Sequence, residues 1–155
     1  MAEFHFRTLA PGQEVEFTIS AAEPTYEFSG RAQHFVALGI PDDFAASAIQ
    51  VRSFLTTPYL PSTSAVMPEF IYLGSDFRVV GGSPASGFQS AGTFWRSAVS
   101  GRARVPSGTR YVVVIAGDGS GGLPVLYSEN RTPYTVRPAA LGDFSLRLFG
   151  EPLKP

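Results

Sequence analysis

Apolar and polar residues alternate along several short stretches of this chain. In the stretch Glu14–Ser20, for example, Val15, Phe17 and Ile19 are each separated by one polar residue. A period of two places the apolar side chains on one face of a β-strand, whereas an amphipathic helix repeats every 3.6 residues. No convincing helical period interrupts the pattern. The chain is therefore predicted to be all-β.

Glycine and proline divide the chain into eleven candidate stretches, of which eight to ten are predicted to be strands. The candidate stretches are Glu3–Leu9, Glu14–Ser20, Thr25–Phe28, His34–Ile40, Ala48–Thr56, Glu69–Leu73, Phe77–Val80, Phe94–Val105, Arg110–Gly117, Leu123–Ser128 and Asp143–Phe149. Between them, Phe44–Ser47 is predicted to form one helical turn. Loops or irregular segments are predicted over Thr57–Pro68, Gly81–Gly92 and Glu129–Leu141.

The number of strands favours two packed antiparallel sheets in a β-sandwich of jelly-roll type. A single sheet closed into a barrel is the main alternative. A length of 155 residues is typical of one domain, so a single β-sandwich domain over residues 1–155 is predicted. The segment Tyr111–Ala116 is apolar at consecutive positions. It is predicted to be a central strand packed on both faces, or a strand with one face on the core and the other under a loop.

Charged residues are few and unevenly distributed. The formal net charge of −1 argues against a nucleic-acid partner, which requires a basic surface. Residues 1–30 contain five glutamates, whereas residues 96–110 contain four arginines and no acid. The asymmetry indicates either a basic binding patch or two surfaces whose charges pair across a sheet, and the second interpretation is favoured. Arg102 and Arg104 are predicted to share one strand face.

Few residues of the chain suit catalysis. The two histidines, His5 and His34, lie within predicted strands, and no Gly-x-Ser-x-Gly motif accompanies them. There is no cysteine, and Asp118 in the stretch Asp118–Gly122 has no neighbouring acid to complete a calcium site. That stretch is predicted to be a hairpin turn. The protein is accordingly predicted not to be an enzyme and to have no metal, cofactor or catalytic residues. A carboxylate-dependent hydrolase is the less favoured alternative.

Aromatic residues are the remaining candidates for ligand binding. Tyr59 and Tyr134 lie in predicted loops beside prolines, so their rings are expected to be exposed. Trp95 is a third candidate, although a position in the core is the favoured interpretation of this residue. Rings of this kind stack on the apolar faces of sugars, so Tyr59, Trp95 and Tyr134 are predicted ligand-binding residues.

The order of segments in the C-terminal half is similar to that of a known family. In Phe70–Val79, an apolar strand and a short turn lead into Asp76, Phe77 and Arg78, and Val79 replaces the family's proline. A later apolar strand in Ser107–Ile115 and a final strand in Gly142–Leu148 follow in the same order. Over about residues 30–150 the chain thus resembles the maltose-operon periplasmic protein family.

This resemblance implies a periplasmic location, a β-sandwich fold and no known catalytic residues. The expected function is that of a non-catalytic cell-envelope accessory protein that binds a protein partner or a glycan. A carbohydrate-binding module in the strict sense is the alternative. A homodimer joined through a strand edge is a further interpretation. No stretch approaches ~18 consecutive apolar residues, so a membrane span is not expected.

Overall fold

The structure, a computed structural model, describes residues 6–22, 25–28, 30–57, 59–92 and 96–153. Its strands are β1 (Phe6–Thr8), β2 (Val15–Ile19), β3 (Thr25–Phe28), β4 (Arg31–Gly39), β5 (Phe44–Phe54), β6 (Ser64–Ala65), β7 (Pro68–Leu73), β8 (Val79–Pro84), β9 (Ser86–Ser90), β10 (Ala98–Arg104), β11 (Tyr111–Ala116), β12 (Val125–Tyr127), β13 (Pro133–Thr135), β14 (Arg137–Pro138) and β15 (Gly142–Pro152). One short 3-10 helix, Leu60–Ser62, precedes β6. The all-β prediction is confirmed for these residues.

The strands form two principal sheets. Sheet I has the order β1-β4-β11-β7-β8, and β3 also pairs with β4. Sheet II has the order β2-β15-β5-β10-β9. The pair β1–β4 is parallel, and the other pairs within these two sheets are antiparallel. Two short ribbons, β12–β13 and β6–β14, complete the described strands.

The two sheets share one apolar core, as in a β-sandwich. Alternate residues of the central strands enter this core, because successive side chains of a strand point to opposite faces. Sheet I contributes Val36, Leu38, Phe70, Tyr72, Val112 and Val114. Sheet II contributes Phe17, Ile19, Ile49, Val51, Phe144, Leu146 and Leu148. Burial of these side chains is the main favourable contribution to folding.

Sheet I carries a second apolar cluster at the intervening positions of its strands. Its buried members are Phe35, Ala37, Leu73, Val113 and Ile115. Strand β11 therefore has both faces buried, and it lies between β4 and β7 in the sheet. The burial of both faces of Tyr111–Ala116, which the two interpretations of this segment share, is confirmed, and the strand is central in its sheet. We call the face that carries the second cluster the outer face of sheet I.

The turn between β7 and β8 differs from the sequence prediction. Phe77 was expected in a strand, but it lies in the turn with a left-handed φ of 62°. Its ring stacks on Tyr111 with centroids 4.5 Å apart and lies 5.8 Å from the ring of Phe6. Strands β7 and β8 nevertheless pair as an antiparallel hairpin. The turn bends the aromatic ring back against one end of the outer face of sheet I.

Other predicted elements are wrong because strand pairing overrides local preference. Phe44–Ser47 is not a helical turn: β5 starts at Phe44, which pairs with Pro152 of β15. The predicted loop Gly81–Gly92 contains most of β8 and all of β9, the edge strands of the two sheets. Short strands also occupy parts of Thr57–Pro68 and Glu129–Leu141.

Gly101 lies in the middle of β10. The structure has an irregular register there between β10 and β9, from Ser100 to Arg102, while the pairing with β5 is continuous. A Cβ atom on Gly101 would lie 2.8 Å from the ring of Phe88. Glycine is therefore required for the aromatic ring to pack directly on this strand.

Candidate functional site

The outer face of sheet II is polar, in contrast to that of sheet I. It consists of the side chains that alternate with the core residues on β15, β5 and β10. These include Ser145, Arg147, Phe149, Gln50, Arg52, Ser100, Arg102 and Arg104. Residues paired across adjacent strands lie on the same face, so the strand register determines which of these side chains are neighbours.

Ion pairs neutralise one side of this face. Arg96, just before β10, places its Nη1 2.9 Å from Oε1 of Glu16 and its Nη2 2.9 Å from Oδ2 of Asp143. The same guanidinium lies 3.6 Å from the centroid of the Phe54 ring, a cation–π geometry. The interpretation that acidic and basic segments pair is confirmed for Glu16 and Arg96. Strands β2 and β10 are not adjacent, because β15 and β5 lie between them.

A second pair of charges lies next to this network. Nε of Arg52 is 3.4 Å from Oε2 of Glu14, and the hydroxyl of Ser145 donates a hydrogen bond to the same oxygen at 3.1 Å. The hydroxyl of Thr18 donates to Oδ1 of Asp143 at 2.7 Å. The carboxylates on this side of the sheet are thus occupied by arginine and hydroxyl partners.

The other side of the face carries three arginines, Arg102, Arg104 and Arg147. None of them forms an ion pair with any of the residues that the structure describes. Gln50 pairs with Arg147 on one side and with Arg102 on the other, so about 10 Å separates the two arginine backbones. Nε of Arg147 is buried and has no hydrogen-bond partner there.

A groove of about 600 Å³ runs along this basic side. Its lining includes Ala48, Gln50, Gln89, Ser100, Arg102 and Phe149. Ala48 lies between Phe149 on β15 and Arg104 on β10. Its small side chain between two large ones makes the groove deeper at this point. The ring of Phe149 is 43% exposed. The groove therefore offers amides, hydroxyls, a guanidinium and an apolar ring.

Of the predicted ligand-binding residues, Tyr59 and Tyr134 do not line this groove. Tyr59 is 65% exposed, as expected, and lies immediately before the 3-10 helix. Tyr134 is half-buried in β13, where it pairs with Leu126. Trp95 lies outside the described residues. The binding role assigned to these three aromatic residues stays a prediction.

A second cleft, of about 660 Å³, contains His34, Glu69 and Asp118 near the ends of β4, β7 and β11. Oδ1 of Asp118 accepts a hydrogen bond from the backbone amide of Ser120 at 3.0 Å within a turn. The predicted hairpin is wrong, because β11 pairs with β4 and β7 while β12 pairs with β13. No described residue that lines the cleft has a hydroxyl or thiol side chain. Within the described ranges, no three His, Cys, Asp or Glu side chains are arranged to hold a metal ion. The other histidine, His5, lies outside those ranges.

Sequence reasoning missed most of the groove. It recognised that Arg102 and Arg104 share a face, and the structure confirms this by exposing both arginines and burying Ala103 between them. Gln50 and Phe149 carry no local signal, because a single polar or apolar residue in a strand is common. The pairing of β5 with β15 and β10 makes them neighbours.

No protein-family model, curated protein or solved structure matches this chain. The resemblance to the maltose-operon periplasmic family therefore stays a prediction from the sequence motifs. Among the described residues, no helix has the length and apolar character needed to span a membrane.

Proposed function

We propose that this protein is a non-catalytic accessory protein of the periplasm or cell envelope that binds an oligosaccharide in the groove of sheet II. The chemistry of the groove is the observation that carries this proposal. Amide, hydroxyl and guanidinium groups match the hydrogen-bonding needs of sugar hydroxyls, and the exposed ring of Phe149 offers a stacking surface. Arg102 and Gln50 supply hydrogen-bond donors on the same face of the sheet.

Binding is proposed rather than catalysis because the described lining of the groove includes no carboxylate or imidazole. Glycoside hydrolysis generally requires two carboxylic groups that face each other across the bound sugar. The carboxylates of Glu14, Glu16 and Asp143 on this face are engaged by Arg52 and Arg96 instead. The periplasmic location rests on the family resemblance.

The proposed fold is a jelly roll, and strand order supports it. The eight strands β2, β4, β5, β7, β8, β10, β11 and β15 are numbered 1 to 8 along the chain. Sheet II then has the order 1-8-3-6, and sheet I has the order 2-7-4-5. This order results when a long antiparallel ribbon wraps into two Greek keys. Jelly rolls include lectin domains, an analogy at the level of fold alone.

Calorimetric titration with a panel of neutral and acidic oligosaccharides, maltodextrins included, tests the function. We expect Phe149→Ala and Gln50→Ala each to weaken binding at least about tenfold, because each removes a groove contact. Tyr127→Ala is the matched control, since this ring is 67% exposed and does not line the groove. Absence of binding to every oligosaccharide, or unchanged binding by both groove variants, would contradict the proposal.

The same titration tests the aromatic residues predicted from the sequence. If Tyr59→Ala or Tyr134→Ala abolishes binding while Gln50→Ala does not, the ligand lies on those aromatic residues and not in the groove. Trp95→Ala tests the third predicted residue in the same titration. If the groove variants alone lose binding, the stacking role predicted for the three residues is wrong.

A protein partner is the second candidate, favoured by the edge of sheet I. Strand β8 lies at this edge, and its first two residues, Val79 and Val80, are 66% and 45% exposed. An edge strand with apolar side chains is able to pair with a strand of another chain, including a second copy of this one. Light scattering over a range of concentrations measures such a homodimer, and Val80→Lys is expected to prevent it.

A further inference from the structure

The charges on the outer face of sheet II are not balanced. Its cations are Arg52, Arg96, Arg102, Arg104 and Arg147, and its carboxylates are Glu14, Glu16, Asp143 and Glu151. Glu151 pairs with the exposed Ala45 further along β15, so five positive groups against four negative groups leave an excess of one positive charge. Glu14, Glu16 and Asp143 all contact Arg52 or Arg96, so they lie toward the β2 side of the sheet.

The excess charge is concentrated at the groove. Arg102 lines it, while Arg104 and Arg147 pair directly with its floor residues Ala48 and Gln50. A concave surface lined by charges of one sign focuses the electrostatic potential and attracts ions of opposite charge. Glu151, the nearest acid further along β15, follows a register shift and forms no ion pair with the three arginines in the described structure.

The arginines are also held at defined spacings. Arg102 and Arg104 project from the same face of β10, two residues and about 7 Å apart. Arg147 lies two strands away on the same face, and its Nε is buried. A ligand with several anionic groups along its length would contact more than one of these cations at once.

We infer that the oligosaccharide bound in this groove carries carboxylate groups, as uronic acids do. This inference rests on the proposed function and specifies the class of sugar. Guanidinium groups bind carboxylates through two parallel hydrogen bonds, a geometry that lysine does not offer. Arg102, Arg104 and Arg147 bind the carboxylates, while Gln50, Ser100 and Phe149 contact the hydroxyls and the apolar face of the ring.

The test compares hexasaccharides of galacturonate, mannuronate and guluronate with their methyl esters, which have the same sugar skeleton without the charge. At low salt we expect the free acid of at least one hexasaccharide to bind at least about tenfold tighter than its ester. That ratio should decrease at high salt, because mobile ions screen the attraction. Arg102→Gln and Arg147→Gln should each reduce the ratio several-fold, and thermal unfolding checks that both variants are folded.

Arg137→Gln is the matched control, because it removes the same charge from an exposed arginine in β14 that does not line the groove. It should leave the ratio unchanged within about twofold. Equal binding of acid and ester in the groove overturns the charge inference and leaves the proposed function intact. Tighter binding of sulfated sugars than of every uronate also overturns it. No binding of any oligosaccharide rejects both.

Discussion

The outer faces of the two sheets differ in what they do for the protein. On sheet I, Val113 and Ile115 lie on the outer face and are only 1% and 5% exposed. On sheet II, the corresponding face carries arginines, glutamines and a groove open to solvent. One face adds to the buried apolar area that stabilises the fold, and the other is available for a ligand. A β-sandwich therefore does not need two equivalent surfaces.

The difference originates in the sequences of interior strands of the two sheets. Strand β11 is apolar at consecutive positions, so both of its faces must be buried. Strand β15 alternates instead, with buried Phe144 and Leu146 on one face and Ser145 and Arg147 on the other. Phe6 and Phe77 contact Tyr111 at the outer face of sheet I, where they help to exclude water.

The largest expected difference in stability follows from placing a carboxylate on the outer face of each sheet in turn. Val113→Asp should lower the free energy of unfolding by at least about 3 kcal/mol, because it buries an unpaired carboxylate. Gln50→Asp, on an exposed position of β5, should change it by less than about 1 kcal/mol. Urea denaturation measures both values. Similar stabilities for the two variants would mean that the outer face of sheet I is accessible to water.

The next largest effect concerns Phe77, whose ring lies at one end of the outer face of sheet I. Phe77→Ala should cost about 2 kcal/mol, because it removes the contacts with Tyr111 and Phe6. Phe77→Gly should cost about 1 kcal/mol less than the alanine variant, since glycine adopts a φ of 62° without strain. If the glycine variant is no more stable than the alanine variant, the left-handed turn contributes no strain.

A smaller effect concerns a hydrogen-bonded polar group in the core between the sheets. The hydroxyl of Tyr72 lies 3.0 Å from that of Ser83. Tyr72→Phe should cost about 1 kcal/mol at neutral pH, because the Ser83 hydroxyl loses this partner. Tyr127→Phe is the control at an exposed tyrosine.

The pKa of Tyr72 predicts that the stability of the protein depends on pH. Burial raises the pKa of Tyr72 above its ordinary value of 10.0, and the hydrogen bond with Ser83 opposes this shift. The unfolded phenol therefore ionises first as pH rises, so this contribution to stability is complete below pH 10.0 and is lost at higher pH. The stability difference between wild type and Tyr72→Phe should shrink in that range. A difference that stays constant or grows would contradict the raised pKa.

The smallest expected effect separates the two sides of sheet II. Arg96→Gln removes both ion pairs and the contact with Phe54, and should cost about 1 kcal/mol at low salt and less at high salt. Arg104→Gln, which removes an arginine without an ion pair in the described residues, should change stability by less than about 0.5 kcal/mol. Equal costs would show that the pairing on the β2 side does not stabilise the sheet.

Strands with strong local patterns were predictable, and those without were not. The alternation in Val15–Ile19 and the continuous apolar run in Tyr111–Ala116 each identified a strand correctly. Gly81–Gly92 was assigned to a loop because glycine and serine have low strand propensity. Backbone hydrogen bonds to β7 and β10 make most of it strand regardless. The groove was less predictable still, since Gln50 and Phe149 become neighbours only through the pairing around β5.

The order of apolar and polar residues by itself determined that this protein is built from strands and that β11 has two buried faces. Both properties depend on neighbours along the chain, because side chains of a strand alternate between its faces. The tertiary structure alone decided that carboxylates pair with Arg52 and Arg96 but leave Arg102, Arg104 and Arg147 without ion pairs among the described residues. Strand register sets those distances, and it joins residues that are remote in sequence.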